Sequence, residues 1–181
     1  MNQIVKFGLI LGVICLASTL VLAFTYEVTK PRIDAAMKSE EQNALKTVMP
    51  EADFFKTCTV DGAEYFEALS RSALIGYCLK ATGPGYGGYI TMIIGIDTKG
   101  VIKGIRILEQ QETPGLGSRI NEVLPGESEP HFLKQFAGKD ARTISLGKGI
   151  DAITGATISS KAVTDTVTKA VKDFFEKRSN R

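Results

Sequence analysis

The sequence predicts an α+β protein: one N-terminal transmembrane helix, then a domain with a mainly antiparallel sheet and packed helices. Three observations predict it. The chain opens with a long uncharged apolar run, alternates like β-strands around Gly-rich turns in its middle, and closes on an amphipathic helical period.

The apolar run is Phe7 to Phe24, with no charged residue and only Ser18 and Thr19 as polar interruptions. As a helix those residues reach about 27 Å, close to the roughly 30 Å hydrocarbon core of a bilayer. A cleaved signal would have a shorter core and a small-x-small cleavage site, which Leu22-Ala-Phe-Thr25 does not supply. A buried core helix would carry a polar face. The run is therefore expected to be an uncleaved anchor in membrane lipid, with Tyr26 at the interface. Counting charges, Lys6 and the amino terminus precede the span while Lys30, Arg32 and Lys38 follow it, which leans toward a cytoplasmic C-terminal domain.

Ile33 to Val48 is rich in helix formers and ends at Met49-Pro50, where proline disfavours helical geometry in its predecessor; it reads as a stalk helix. Ser72 to Thr82 reads as a strand running into the Gly-rich Thr82–Gly88. In Tyr89 to Asp97, Ile90, Met92, Ile94 and Ile96 share one face, as in a half-buried strand. Asp97-Thr-Lys-Gly100 is a turn signal, so Val101 to Leu108 is its hairpin partner. Gln111 to Gly117 breaks the pattern, with short helices expected over Ser118–Val123 and His131–Phe136. Last, Ile158, Ala162, Val163, Val167, Ala170, Val171, Phe174 and Phe175 outline a helix packing on the sheet.

Composition narrows the function. With 22 Lys and Arg against 20 Asp and Glu, no nucleic-acid partner is expected. His131 is the only histidine and no ligand cluster surrounds it, so no metal is expected. Cys58 and Cys78 lack metal-like spacing, and either a disulfide or two buried thiols fits them. There is no ferredoxin-like cysteine set and no dinucleotide fingerprint.

The densest chemistry is Asp151-Ala-Ile-Thr-Gly-Ala-Thr-Ile-Ser-Ser160, where the last helix begins. Thr157 at that start is one reading of a helix cap, which needs a single hydroxyl. Thr154, Thr157, Ser159 and Ser160 offer four. The surplus, the free N–H groups of a helix N-terminus and a permissive Gly155 would also suit a phosphate.

Thr154-Gly-Ala-Thr-Ile-Ser-Ser160 resembles the Ser/Thr-Gly-Ala-Thr-x-Ser/Thr motif of FMN-binding domains whose flavin is attached covalently. Together with the N-terminal anchor, Tyr86-Gly-Gly-Tyr89 and Glu112-Thr-Pro-Gly-Leu-Gly117, the whole length resembles the G subunits of Rnf electron-transport complexes. The C subunit of the sodium-pumping NADH:quinone reductase shares the threonine motif and is the alternative; non-redox anchored binding or structural domains are a further class.

The resemblance implies a covalent FMN, joined by a flavin transferase through a phosphoester to Thr157. It also implies a phosphate beside Thr154, Gly155, Ala156, Ser159 and Ser160, and an isoalloxazine against Thr113, Pro114, Gly115 and Leu116. Tyr86 and Tyr89 fit either flavin stacking or ordinary packing. Lys148 fits either a phosphate counter-charge or a solvated loop. On this resemblance the chain is an electron-relaying subunit of an ion-translocating ferredoxin:NAD⁺ oxidoreductase and carries no catalytic residue of its own. Its partners would be the membrane subunits A, D and E and the peripheral subunits B and C. The cell membrane would hold residues 1–27 as anchor, with 28–50 as stalk and 51–181 as the FMN-binding domain. The resemblance puts that domain outside the cytoplasm, against the charge count.

Overall fold

The structure, a computed structural model, describes residues 3–60 and 63–179. Residues 1–2 of the expected anchor and 61–62 and 180–181 of the expected domain lie outside the described residues.

The chain divides into two compact units, 1–40 and 41–181. The first is helical. Helix α1 spans Gln3–Val48, and its side chains from Ile4 to Tyr26 are exposed. An apolar helix without a buried face has no soluble core to join, so lipid is the solvent that suits it. Anchor and stalk, read separately from the sequence, are parts of one helix.

The second unit takes in the last turns of α1 from Glu41. Its frame is a five-stranded antiparallel sheet in chain order: β1 (Phe54–Val60), β2 (Ala63–Ser70), β3 (Ala73–Pro84), β4 (Tyr89–Asp97) and β5 (Ile102–Glu109). Each strand pairs with its successor, as short hairpin connections allow. A 3₁₀ turn (Gly117–Asn121), short α2 (His131–Lys134), a small pair β6 (Ser145–Leu146) and β7 (Gly149–Ile150), and long α3 (Thr157–Ser179) follow.

The β4 expectation needs correction. Ile90, Met92, Ile94 and Ile96 do share one face, packed against Val163, Val167, Val171 and Phe174 of α3 and Phe132 and Phe136 near α2. The opposite face is buried too: Ile93 joins Cys78, Phe66, Ala44, Leu45, Val48 and Met49 in a second core. The strand is buried on both sides because the end of α1 folds over the face that alternation assigned to solvent.

Three glycines admit that helix end. Gly76 of β3, Gly95 of β4 and Gly104 of β5 lie under Val48 and Met49; a Cβ at Gly95 would sit 2.7 Å from the Val48 carbonyl oxygen. Without side chains there, helix backbone meets sheet directly. Lys80 adds an ion pair to Glu41 at 2.7 Å.

Asp61-Gly62, between β1 and β2, is a hairpin signal that the sequence reading passed over, whereas the β2–β3 hairpin carries none. Arg71 (φ 48°) and Ser72 (φ 67°) both adopt left-handed backbone, where Asn-Gly would normally advertise a two-residue turn. Asp53 supports the turn instead, accepting from Ser70 Oγ at 3.0 Å and the Arg71 N–H at 2.9 Å. The β4–β5 turn follows expectation: Asp97 Oδ1 accepts from the N–H groups of Lys99 and Val101, and Gly100 has φ 94°.

Arg142 ties that turn to the following loop, donating to the Lys99 carbonyl at 2.9 Å and to Asp140 at 2.7 Å. The Arg142 side chain, more than any other group, holds the Asp140 carboxyl below its usual range. A lowered folded-state value means that stability is fully present above the unfolded Asp pKa of about 3.9 and is lost as pH falls through the folded value. Asp140→Asn should therefore destabilise the domain at pH 7 by about 0.2–1 kcal/mol, the range for partly exposed pairs. The gap from the parent should close in thermal melts below about pH 4. A gap of equal size at pH 7 and pH 3 would refute an ionic origin.

Both cysteines of this unit are free. Cys78 lies in the second core and burial pushes its thiol up to about 12; Cys58 is half-buried on β1, opposite Tyr65 in the ladder.

Candidate functional site

The site forms where three segments meet: the Gly-rich β3–β4 connection, the loop after β5, and the N-terminus of α3. Their side chains line a cavity of about 410 Å³, bounded by Tyr86, Thr113, Leu116, Gly155, Thr157 and Ile158. That volume falls in the usual range for cofactor pockets, about 300–1,000 Å³.

Each wall has a local cause. In Thr113-Pro-Gly-Leu116 the Leu116 N–H donates to the Thr113 carbonyl at 3.2 Å, and Gly115 has φ 75°. A turn with proline second and a left-handed third residue requires glycine there. The Gly115 N–H goes to Ser118 Oγ at 3.0 Å. The N–H groups of Gly115 and Leu116 are thus spent within the loop. What it offers is the Leu116 side chain, 51% exposed, and the Thr113 hydroxyl.

At the helix, Gly155 has φ 79° and the first intrahelical bond runs from the Ser160 N–H to the Ala156 carbonyl at 2.9 Å. Ala156 therefore stands at the N-cap and Thr157 is the first helical residue, so Thr157 is not the capping residue. Its exposed hydroxyl makes no hydrogen bond among the described residues. The N–H groups of Thr157, Ile158 and Ser159 precede the first intrahelical bond, and such groups with the helix dipole suit an anion.

Two of the four hydroxyls serve the protein. Ser160 is fully buried and accepts from the Ile153 N–H at 3.1 Å, fastening the loop to the helix; Ser159 is buried and donates to Glu112 Oε2. Thr154 lines a neighbouring pocket with Arg119, Gln135 and Asp151. Lys148 is exposed in the β6–β7 turn and lines neither pocket. The structure thus gathers Thr113, Leu116, Gly155, Ala156, Thr157 and Ser159 around one cavity. Pro114 and Gly115 shape its loop, and Thr154, Ser160 and Lys148 stand off it. Tyr86 lines it and Tyr89 does not.

Glu112, at the head of the loop motif, has a role that its sequence context does not signal. It is only 5% exposed, and its Oε1 accepts from the N–H groups of Tyr86 and Gly87 at 2.9 and 3.0 Å. With the Ser159 bond, one carboxyl touches all three walls. Ile158 is the other residue that pattern misplaced: it belongs to the apolar series of α3 yet is 57% exposed on the cavity rim.

Similarity to known proteins agrees with this geometry. A family model described as FMN-binding domain matches residues 85–172, and one described as RnfG N-terminal region matches residues 1–48. The G subunit of an ion-translocating oxidoreductase complex from Vibrio atlanticus (strain LGP32) is 32% identical over 95% of this chain and 90% of its own. The chain belongs to the G-subunit family of ion-translocating oxidoreductase complexes. Within that family, the G subunit of the Na⁺-translocating ferredoxin:NAD⁺ oxidoreductase complex of Acetobacterium woodii is 35% identical over 93% of this chain and 90% of its own. The proton-translocating counterpart of Clostridium ljungdahlii is 32% identical over 94% and 91%. Among solved structures, the C subunit of Na⁺-translocating NADH-quinone reductase from Parabacteroides distasonis aligns with TM-score 0.51 and 26% identity. The match covers 64% of this chain and 62%, less than two thirds, of that one. The family explains the cavity: the matched FMN-binding region contains every wall of it. The apolar helix at the N-terminus accords with a single-pass membrane anchor.

Proposed function

We propose that this chain is the membrane-anchored flavin subunit of an ion-translocating ferredoxin:NAD⁺ oxidoreductase and relays electrons through an FMN held covalently on Thr157. The observation that carries the reading is the position of Thr157: an exposed, unengaged hydroxyl on the first turn of a long helix, opening into a cavity with an apolar rim. Bound FMN supplies one- and two-electron redox chemistry, and this chain supplies attachment, orientation and electrostatics.

Thr157 Oγ1 would hold the FMN phosphate as an ester installed by a flavin transferase, a net gain of FMN less water. Gly155 lets the backbone approach the phosphate, which the free N–H groups of the first turn receive. Thr113, Leu116, Tyr86 and Ile158 line the cavity and would border the isoalloxazine ring. Residues 1–27 anchor the chain in the cell membrane. Residues 28–50 form the stalk, whose last turns are built into the globular unit, and 51–181 carry the flavin. The membrane subunits A, D and E and the peripheral subunits B and C are the partners, and the flavin domain faces away from the cytoplasm. There a covalent bond prevents loss of a cofactor that the cell could not recapture.

The test is intact-protein mass with in-gel flavin fluorescence after co-expression with a flavin transferase. A gain equal to FMN less water, mapped to Thr157, is expected; an unmodified mass under those conditions would overturn the reading.

A further inference from the structure

We propose that Glu112 is a positioning residue of the flavin site whose buried carboxyl both locks the three cavity walls together and holds the flavin's reduction potential down. Three features carry this. First, it accepts hydrogen bonds from both of the other walls: Oε1 from the N–H groups of Tyr86 and Gly87, and Oε2 from the Ser159 hydroxyl. Its own backbone begins the Thr113–Leu116 turn, and its N–H is fastened to Gln110 Oε1 at 2.7 Å.

Second, the chain gives up side chains to make room for it. A Cβ on Gly117 would lie 2.5 Å from Glu112 Oε2 and 2.6 Å from Ser159 Oγ, and a Cβ on Gly85 would strike Glu112 Oε1. Both glycine motifs flanking the site therefore keep space for one carboxyl.

Third, the carboxyl lines the cavity yet has no ion-pair partner among the described residues. Hydrogen bonding alone does not call for a charge here. A glutamine offers the same oxygen to both N–H groups and an amide N–H to the serine hydroxyl. A formal negative charge on a shielded wall, by contrast, acts on any electron added nearby, and repulsion makes the reduced cofactor less favourable.

The inference rests on the proposed flavin site, and the experiment separates the two failures. Full-length parent, Glu112→Gln and Ser159→Ala proteins are produced with a flavin transferase. Each is checked for covalent flavin by mass and then titrated spectroelectrochemically. Asp173→Asn serves as the control, since Asp173 lies about 24 Å along α3 from Thr157. A parent without flavin refutes the flavin site itself. With flavin present, Glu112→Gln should retain it and shift the midpoint potential positive, while Asp173→Asn leaves it unmoved. Ser159→Ala keeps the charge but removes a hydrogen bond that disperses it, so the potential should move negative. An unmoved or negative potential in Glu112→Gln overturns the proposal. If that variant does not fold, the Ser159→Ala result decides, and an unmoved potential there overturns it.

Discussion

Thr157→Ala is expected to abolish covalent flavin completely while leaving the fold intact. The loss should be total because the ester needs this hydroxyl, and its neighbours are engaged: Ser160 accepts from Ile153 and Ser159 donates to Glu112. The fold should survive because Thr157 is exposed and makes no hydrogen bond among the described residues. A threonine acting as the N-cap would cost about 1 kcal/mol on truncation. Here Ala156 stands at that position and Thr157 is inside the helix, where alanine is the better helix former. The stability change should therefore lie within about 0.5 kcal/mol of zero. Mass spectrometry and thermal melting read the two halves separately. Covalent flavin retained in the variant would dismiss Thr157 as the attachment point, and a large fall in melting temperature would dismiss the exposed, unengaged geometry.

Gly95→Val should be strongly destabilising, although it lies outside the flavin site. A Cβ there meets the Val48 carbonyl oxygen at 2.7 Å and the Val48 Cβ and Cγ2 at 3.1 Å. Neither partner can step aside. The carbonyl is helix backbone, and Val48 is held between Ile93, Leu45 and Met49 in the second core. Overpacking of this kind costs typically about 1–3 kcal/mol, and a β-branched residue against backbone belongs at the upper end. For a chain of this size that corresponds to a drop of roughly 6–12 °C in melting temperature. Val48→Ala in the same chain should recover part of the loss by removing Cγ2, but not all, because the carbonyl remains. An unchanged melting temperature in Gly95→Val would mean that the helix end is not seated on the sheet.

The elements legible in the sequence were those whose signals are local. The anchor is an uncharged run, the β4–β5 hairpin carries Asp97 and Gly100 at its turn, and α3 repeats its apolar residues at helical steps. β1 and β2 went unread although Asp61-Gly62 between them is a local hairpin signal; the turn between β2 and β3 gives none, because Arg71 and Ser72 are held in left-handed geometry by Asp53 rather than by glycine. The second buried face of β4 went unread because what covers it comes from far upstream in the chain, at Ala44 to Met49.

The site divides the same way. Its threonine motif and Pro-Gly loop are short strings whose chemistry sequence resemblance exposes. Glu112 and Ile158 are ordinary residues in sequence. One looked like part of a loop and the other like part of a core stripe, and their roles arise from what lies across the cavity.

By itself, the sequence determined the membrane helix, the order of the later strands and helices, the family and the threonine at the head of the last helix. All of these depend on residues adjacent in the chain or one helical or strand period apart. Only the tertiary structure decided which hydroxyls are free, which face of β4 meets α1, and that one carboxyl joins three walls of the site. Burial and hydrogen-bond partnership are set by segments distant in sequence, and a hydroxyl's availability depends on whether such a partner has already claimed it.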